Sequence, residues 1–170
     1  MGRLATYIAV DGDRLDAIWD LPDDEFRSGF RDLENDKQLQ RLEIDKIWDA
    51  LHCTLTGQSA SEPIDGNRLS ESIVGTYPKL LDDDDYSLFV SVIDNEDIRE
   101  ILAAIEPFDR AKLASVFDPA TLEDNDVYPS GIWDDSPEAL VDEMASAIES
   151  MRRFFVAISD TNLHILATVV

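Results

Sequence analysis

Apolar residues cluster at both ends of the chain, in LATYIAV (4–10) and LHILATVV (163–170). Both stretches are strand-like, which predicts that they pair or neighbour each other within one sheet. Asp11 is a good N-cap for a helix over 11–20 that places Leu15, Ile18 and Trp19 at helical spacing. After Pro22, residues Phe26, Phe30 and Leu33 hold the i, i+4, i+7 pattern despite Gly29, so a weak helix is expected to fade into a polar loop by Asn35. RLEIDKIWDALHCTLTG (41–57) reads as the clearest helix of the first half, with Ile44, Ile47, Trp48, Leu51 and Leu55 on one stripe and Gly57 as the stop.

A Ser, Pro, Gly and Asp-rich loop is expected over 58–67, followed by a short helical turn over 69–75. Four aspartates at 82–85 must be solvated, and YSLFVSVI (86–93) then reads as a strand. Asp94 is placed to cap the next helix, with Asp97 in a capping-box position, Ile98, Ile101, Leu102 and Ile105 on its apolar face and Pro107 at its end. Asp109 caps a short helix carrying Leu113, Val116 and Phe117, closed by Asp118-Pro119, and 121–135 is expected to be irregular and aromatic. Ser136-Pro137 opens a long helix that keeps Leu140, Val141, Met144, Ile148, Met151, Phe155 and Ile158 on one face until about Asp160, a span of roughly 33 Å.

These elements predict an α+β fold in a single domain over 1–170, with a small mixed or antiparallel sheet that includes both terminal strands and is packed by several helices. The 170 residues suit one domain; two would each have a thin core. No apolar run reaches the ~20 residues of a membrane-spanning helix, so no membrane partner is expected. Met1-Gly2-Arg3-Leu4-Ala5-Thr6 matches the short myristoylation pattern, against which the stretch from Leu4 looks committed to the core.

Charge changes the picture more than length does. The 37 acidic against 14 basic side chains give a formal charge of −23, a field that repels phosphate backbones and argues against nucleic acid as a partner. Most of the surplus is Asp, 25 against 12 Glu, a bias that fits solvation and coding preference as readily as a basic protein partner. The single cysteine, Cys53, excludes an internal disulfide and suits a cytoplasmic location.

If 41–57 is one helix, Asp45, Trp48, Asp49, His52 and Thr56 line one flank of it. That flank is either a pocket wall with His52 as acid or base oriented by Asp45 or Asp49, or a boundary where Trp48 and His52 finish the core and Asp49 is a solvated neighbour. A second candidate is the loop VYPSGIWD (127–134), in which Pro129 and Gly131 rigidify the presentation of Tyr128 and Trp133; it either binds a ligand or covers one end of the core. The other chemistries lack their residues. Zinc lacks a ligand set in His52, Cys53 and His164, no cofactor motif occurs, and neither a nucleophile elbow nor a phosphate loop is present.

The helix motif Leu42, Asp45, Lys46, Trp48, Leu51, His52, Leu55, Thr56 and Gly57, followed in order by Tyr128-Pro129 and Trp133 and the long helix before a terminal strand, resembles the YfbM-like family of uncharacterised bacterial proteins. The resemblance spans nearly the whole chain and implies a shared fold, with no activity, substrate or cofactor to carry over. It also implies that the Trp48/His52 helix and the Tyr128/Trp133 loop meet in one cleft. Two functions follow as expectations. The first is a non-catalytic binding or regulatory domain whose partner is a basic protein. The second is a small-molecule-binding protein or enzyme whose cleft is lined by Asp45, Trp48, His52, Thr56, Tyr128 and Trp133.

Overall fold

A computed structural model describes residues 3–79, 81 and 89–169. Strand β1 (Ala5–Val10) leads into helix α1 (Gly12–Trp19), and α2 (Asp23–Asn35) returns beside it before strand β2 (Arg41–Ile44). Helices α3 (Trp48–Thr56) and α4 (Arg68–Val74), strands β3 (Tyr77–Lys79) and β4 (Phe89–Ile93), and helices α5 (Ile98–Ile105), α6 (Arg110–Val116) and α7 (Pro119–Asp124) follow. The chain closes on α8 (Pro137–Ser159) and β5 (His164–Val169). The Met1-Gly2 start, the 82–85 aspartates and the first residues of the expected 86–93 strand lie outside the described residues.

The five strands form one antiparallel sheet in the order β2-β1-β5-β4-β3. The two terminal strands pair directly, Tyr7 opposite Ala167 and Ala9 opposite Ile165, as their shared apolar character predicts. Side chains alternate between faces along a strand, and here both faces are covered. Tyr7, Ile93, Ile165 and Ala167 join the larger core with α3 through α8, while Ile8, Val10, Val90, Val92 and Leu166 join a smaller core under Phe26, Phe30 and Leu33 of α2 and Leu15 and Ile18 of α1. Burial on both sides explains why these strands read as unbroken apolar runs.

Three expectations are corrected. Residues 41–44 form an edge strand on β1, Ile44 opposite Ala5, and only Trp48 onward is α-helical. Ile44 meets both periodicities, and pairing to β1 decides in favour of the strand. Asp118-Pro119 opens α7 instead of closing α6, with Asp118 accepting from the Ala120 amide and Pro119 at the first helical turn, where its missing N–H costs nothing. Asp94 holds the N-cap position of the 3₁₀ turn Asn95–Asp97 that leads into α5, but its side chain makes no capping hydrogen bond; its carboxylate lies 3.0 Å from His164 Nδ1, and Asp97 is drawn to Arg68.

Polar side chains bind the outer helices together. Arg68 of α4 reaches Glu71, Asp97 and Glu100 at 2.7, 2.8 and 2.6 Å, clamping α4 to α5. Arg152 of α8 donates to the carbonyls of Ile105, Glu106 and Phe108, satisfying groups that the end of α5 leaves open. The Tyr7 hydroxyl crosses the larger core to donate to the Ile73 carbonyl at 2.8 Å, and burial pushes its pKa up.

Gly75 joins α4 to β3 at φ 79, and a Cβ there would lie 2.6 Å from Ser91 Cβ. Gly75→Ala is expected to destabilise the fold by about 2–3 kcal/mol, through overpacking and a left-handed alanine. Urea denaturation would read this as a lower midpoint at unchanged slope.

Candidate functional site

The residues singled out by sequence divide into three groups. Asp45 is exposed in the turn between β2 and α3, where it accepts from the Lys46 amide. Because the helix begins at Trp48, Asp45 leaves the flank it was expected to share and faces a separate hollow with Glu43, Glu143 and Ser150. Trp133 is half-buried in a 3₁₀ turn (Ile132–Asp134) against the larger core and is not among the residues lining the cleft beside Trp48.

His52 is fully buried. Its Nδ1 lies 2.7 Å from the Gln58 carbonyl, which can only accept, so Nδ1 carries the proton and donates. Nε2, 2.7 Å from Ser70 Oγ, then accepts from that hydroxyl, which in turn accepts from the Ile64 amide. Thr56 closes the same corner by donating to the His52 carbonyl. Burial holds the imidazole pKa below its ordinary value, opposed by the Gln58 carbonyl and the Asp49 charge. The ring is a neutral peg tying α3 to the 58–64 loop and α4, with neither nitrogen free to move a substrate proton.

Asp49, one turn before His52, is 3% exposed. The expectation of a solvated neighbour fails here. Its carboxylate accepts from the Ala60 amide at 2.7 Å, from the Tyr128 amide at 2.7 Å and from Ser59 Oγ at 3.1 Å. Helix α3, the 57–61 loop and the 126–131 loop therefore converge on one buried acid. Two backbone donors that would otherwise be orphaned are satisfied there. Cys53, the neighbour of His52, is 1% exposed with Sγ 3.8 Å from the Thr121 carbonyl, and burial followed by the Asp49 charge pushes its thiol up to about 11.

Trp48 and Tyr128 do meet. Their rings stack with centroids 5.8 Å apart at 23°. The indole N–H donates to the Arg3 carbonyl at 3.2 Å and the Arg3 amide donates to the Tyr128 hydroxyl at 2.8 Å, so the start of β1 is pinned to the aromatic pair from both sides. Beside them opens a cleft of about 450 Å³, bordered by Arg3, Ser61, Pro63, Val74, Asp126 and Val169. The guanidinium of Arg3 lies over the Tyr128 ring, 6.0 Å from its centroid. Arg3 and Asp126 gave no signal in the sequence, because each is brought to the cleft by long-range packing.

Asp126 belongs to a wider pattern. Between residues 113 and 151 there are ten acidic residues and no lysine or arginine, and all ten side chains are exposed. This stretch runs through α7, the Tyr128 loop and the first part of α8.

Two outcomes are expected. Asp49→Ala leaves the Ala60 and Tyr128 amides without an acceptor and should cost about 2–4 kcal/mol in chemical denaturation, with faster hydrogen exchange at those two amides. His52 protonates less readily folded than unfolded, so its share of stability is complete above about pH 6.5 and is lost as pH falls through the lower folded pKa. Stability measured from pH 7 to pH 5 should fall more steeply for the natural chain than for His52→Gln.

Comparison with known proteins agrees with this architecture. Residues 1–168 match the family model described as a domain of unknown function, DUF1877. Protein YfbM of Escherichia coli (strain K12) is 25% identical over 158 residues, covering 90% of this chain and 92% of that protein. The crystal structure of YfbM from Escherichia coli, a protein of unknown function, superposes with a TM-score of 0.76 and 25% identity over 98% of this chain and 99% of that one. With matching sequence model, relative and fold, this chain belongs to the DUF1877 family of YfbM-like proteins.

Proposed function

We propose that this chain is a non-catalytic binding domain, acting in the cytoplasm, that recognises a basic protein through its acidic surface. The observation that carries this reading is the 113–151 stretch, ten exposed carboxylates without one lysine or arginine among them. Some of these acids are occupied within the molecule. Arg110 lies against Glu138 and Asp142, and Arg153 against Glu149. Glu123, Asp124, Asp134 and Asp135 have no ion pair among the described residues, and like charges so disposed raise the local potential for a cationic surface.

The competing enzyme reading loses its acid-base residue. His52 spends both nitrogens on internal hydrogen bonds, Asp49 spends its oxygens on the loops, and Cys53 is held as a buried thiol. Each of these groups supports the fold at the place where catalysis would need it free.

Charge-driven recognition is weakened by salt, because exposed charges are screened beyond a Debye length of about 8 Å at physiological ionic strength. Affinity capture from the source cells at low and moderate salt should recover a basic protein with the natural chain. It should lose that protein when Glu123, Asp124, Asp134 and Asp135 are changed to their amides. An identical set of recovered proteins with the neutralised chain, or none at either salt, would count against the reading.

A further inference from the structure

We infer that the cleft beside Trp48 and Tyr128 is the anchoring pocket for an arginine side chain of the partner, a step that rests on the binding reading above. One wall of the cleft is the half-buried phenol of Tyr128, stacked on the buried Trp48 indole, and a ring face of this kind attracts a planar cation. Asp126 stands exposed at the rim, held at φ 46, and the hydroxyl of Ser61 adds an acceptor. Val74, Pro63 and Val169 supply apolar contact for an aliphatic stem. Arginine combines these three requirements in one side chain, a planar charged head with five donors on a hydrocarbon stem.

The chain supplies its own demonstration. Arg3 already holds its guanidinium over the Tyr128 ring, and it has no ion pair among the described residues. Its backbone is fixed by the Trp48 and Tyr128 hydrogen bonds, while its side chain is exposed. Arg3 is therefore a surrogate that an incoming arginine displaces.

The shape favours a polypeptide over a small free cation. Pro63 and Val74 also border a second hollow of about 430 Å³, lined by Ile64, Asp65, Glu71, Gly75, Thr76 and Pro78. Two hollows separated by a shared wall suit an extended segment that places one side chain in each, with carboxylates near both.

A tetra-arginine peptide blocked at both ends, and its neutral citrulline counterpart, would be titrated at low salt while the three tryptophan indole N–H resonances are followed by NMR. The arginine peptide should move the Trp48 resonance and the citrulline peptide should leave it in place. Asp126→Asn, which suits a left-handed position, should weaken binding roughly two- to fivefold, and so should Tyr128→Leu. Arg3→Ala should strengthen it, while Arg31→Ala on α2 should change affinity far less. Binding that leaves Trp48 unmoved overturns the pocket while the acidic-surface reading stands. Absence of binding overturns both. Weaker binding by Arg3→Ala, or a Trp48 shift produced by acetate, marks the cleft as an anion site and overturns the inference.

Discussion

The structure depends on β5 being wedged between β1 and β4. Each half of the sheet, β2-β1 on one side and β4-β3 on the other, is a two-stranded ribbon that cannot stand alone in water. Only the insertion of β5 makes a five-stranded surface with two apolar faces. Those faces then dictate the helices, since α1 and α2 must cover one and the remaining helices the other. Residues far apart in the chain have to meet before any of this burial is realised, which makes the topology slow to assemble and cooperative once formed.

Around this frame, buried polar groups do the work of joining loops to helices. Asp49 and His52 sit on one face of α3, a turn apart, and each gathers loop backbone that would otherwise have been left without partners. The same pair in an open cleft would have read as a catalytic acid and base. What separates the two roles is access. An acid held by two loop amides and a serine hydroxyl, and an imidazole hydrogen-bonded at both nitrogens, are committed to the fold. Tyr128 inherits its position from Asp49, because its amide is one of the donors, so the aromatic wall of the cleft is built on a structural carboxylate.

Much of the fold is legible in the sequence because its signals are local. Asp11, Asp109 and Ser136 cap the helices they precede, Gly57 ends α3 in a left-handed conformation, and the terminal strands announce themselves by apolar character. The misreadings occur where one residue satisfies two rules. Ile44 continues the helical stripe of α3 and also the alternation of an edge strand, and only its partner Ala5 decides. Pro119 can follow one helix or begin another. Of the site, Trp48 against Tyr128 is foreshadowed by the family resemblance, whereas Asp49 as a buried hub depends on where the 57–61 loop turns back, which no periodicity encodes.

Cys53 gives this arrangement a clock. Its thiol is sealed where α3 lies against α7, and its raised pKa keeps the reactive thiolate scarce near neutrality. It is also the sole cysteine of the chain. A thiol reagent therefore gains access only when the packing around α3 opens, and the rate of modification reports those openings. Any ligand that holds the Tyr128 loop against α3 slows that count without touching the sulfur, so occupancy of the cleft is legible from inside the core.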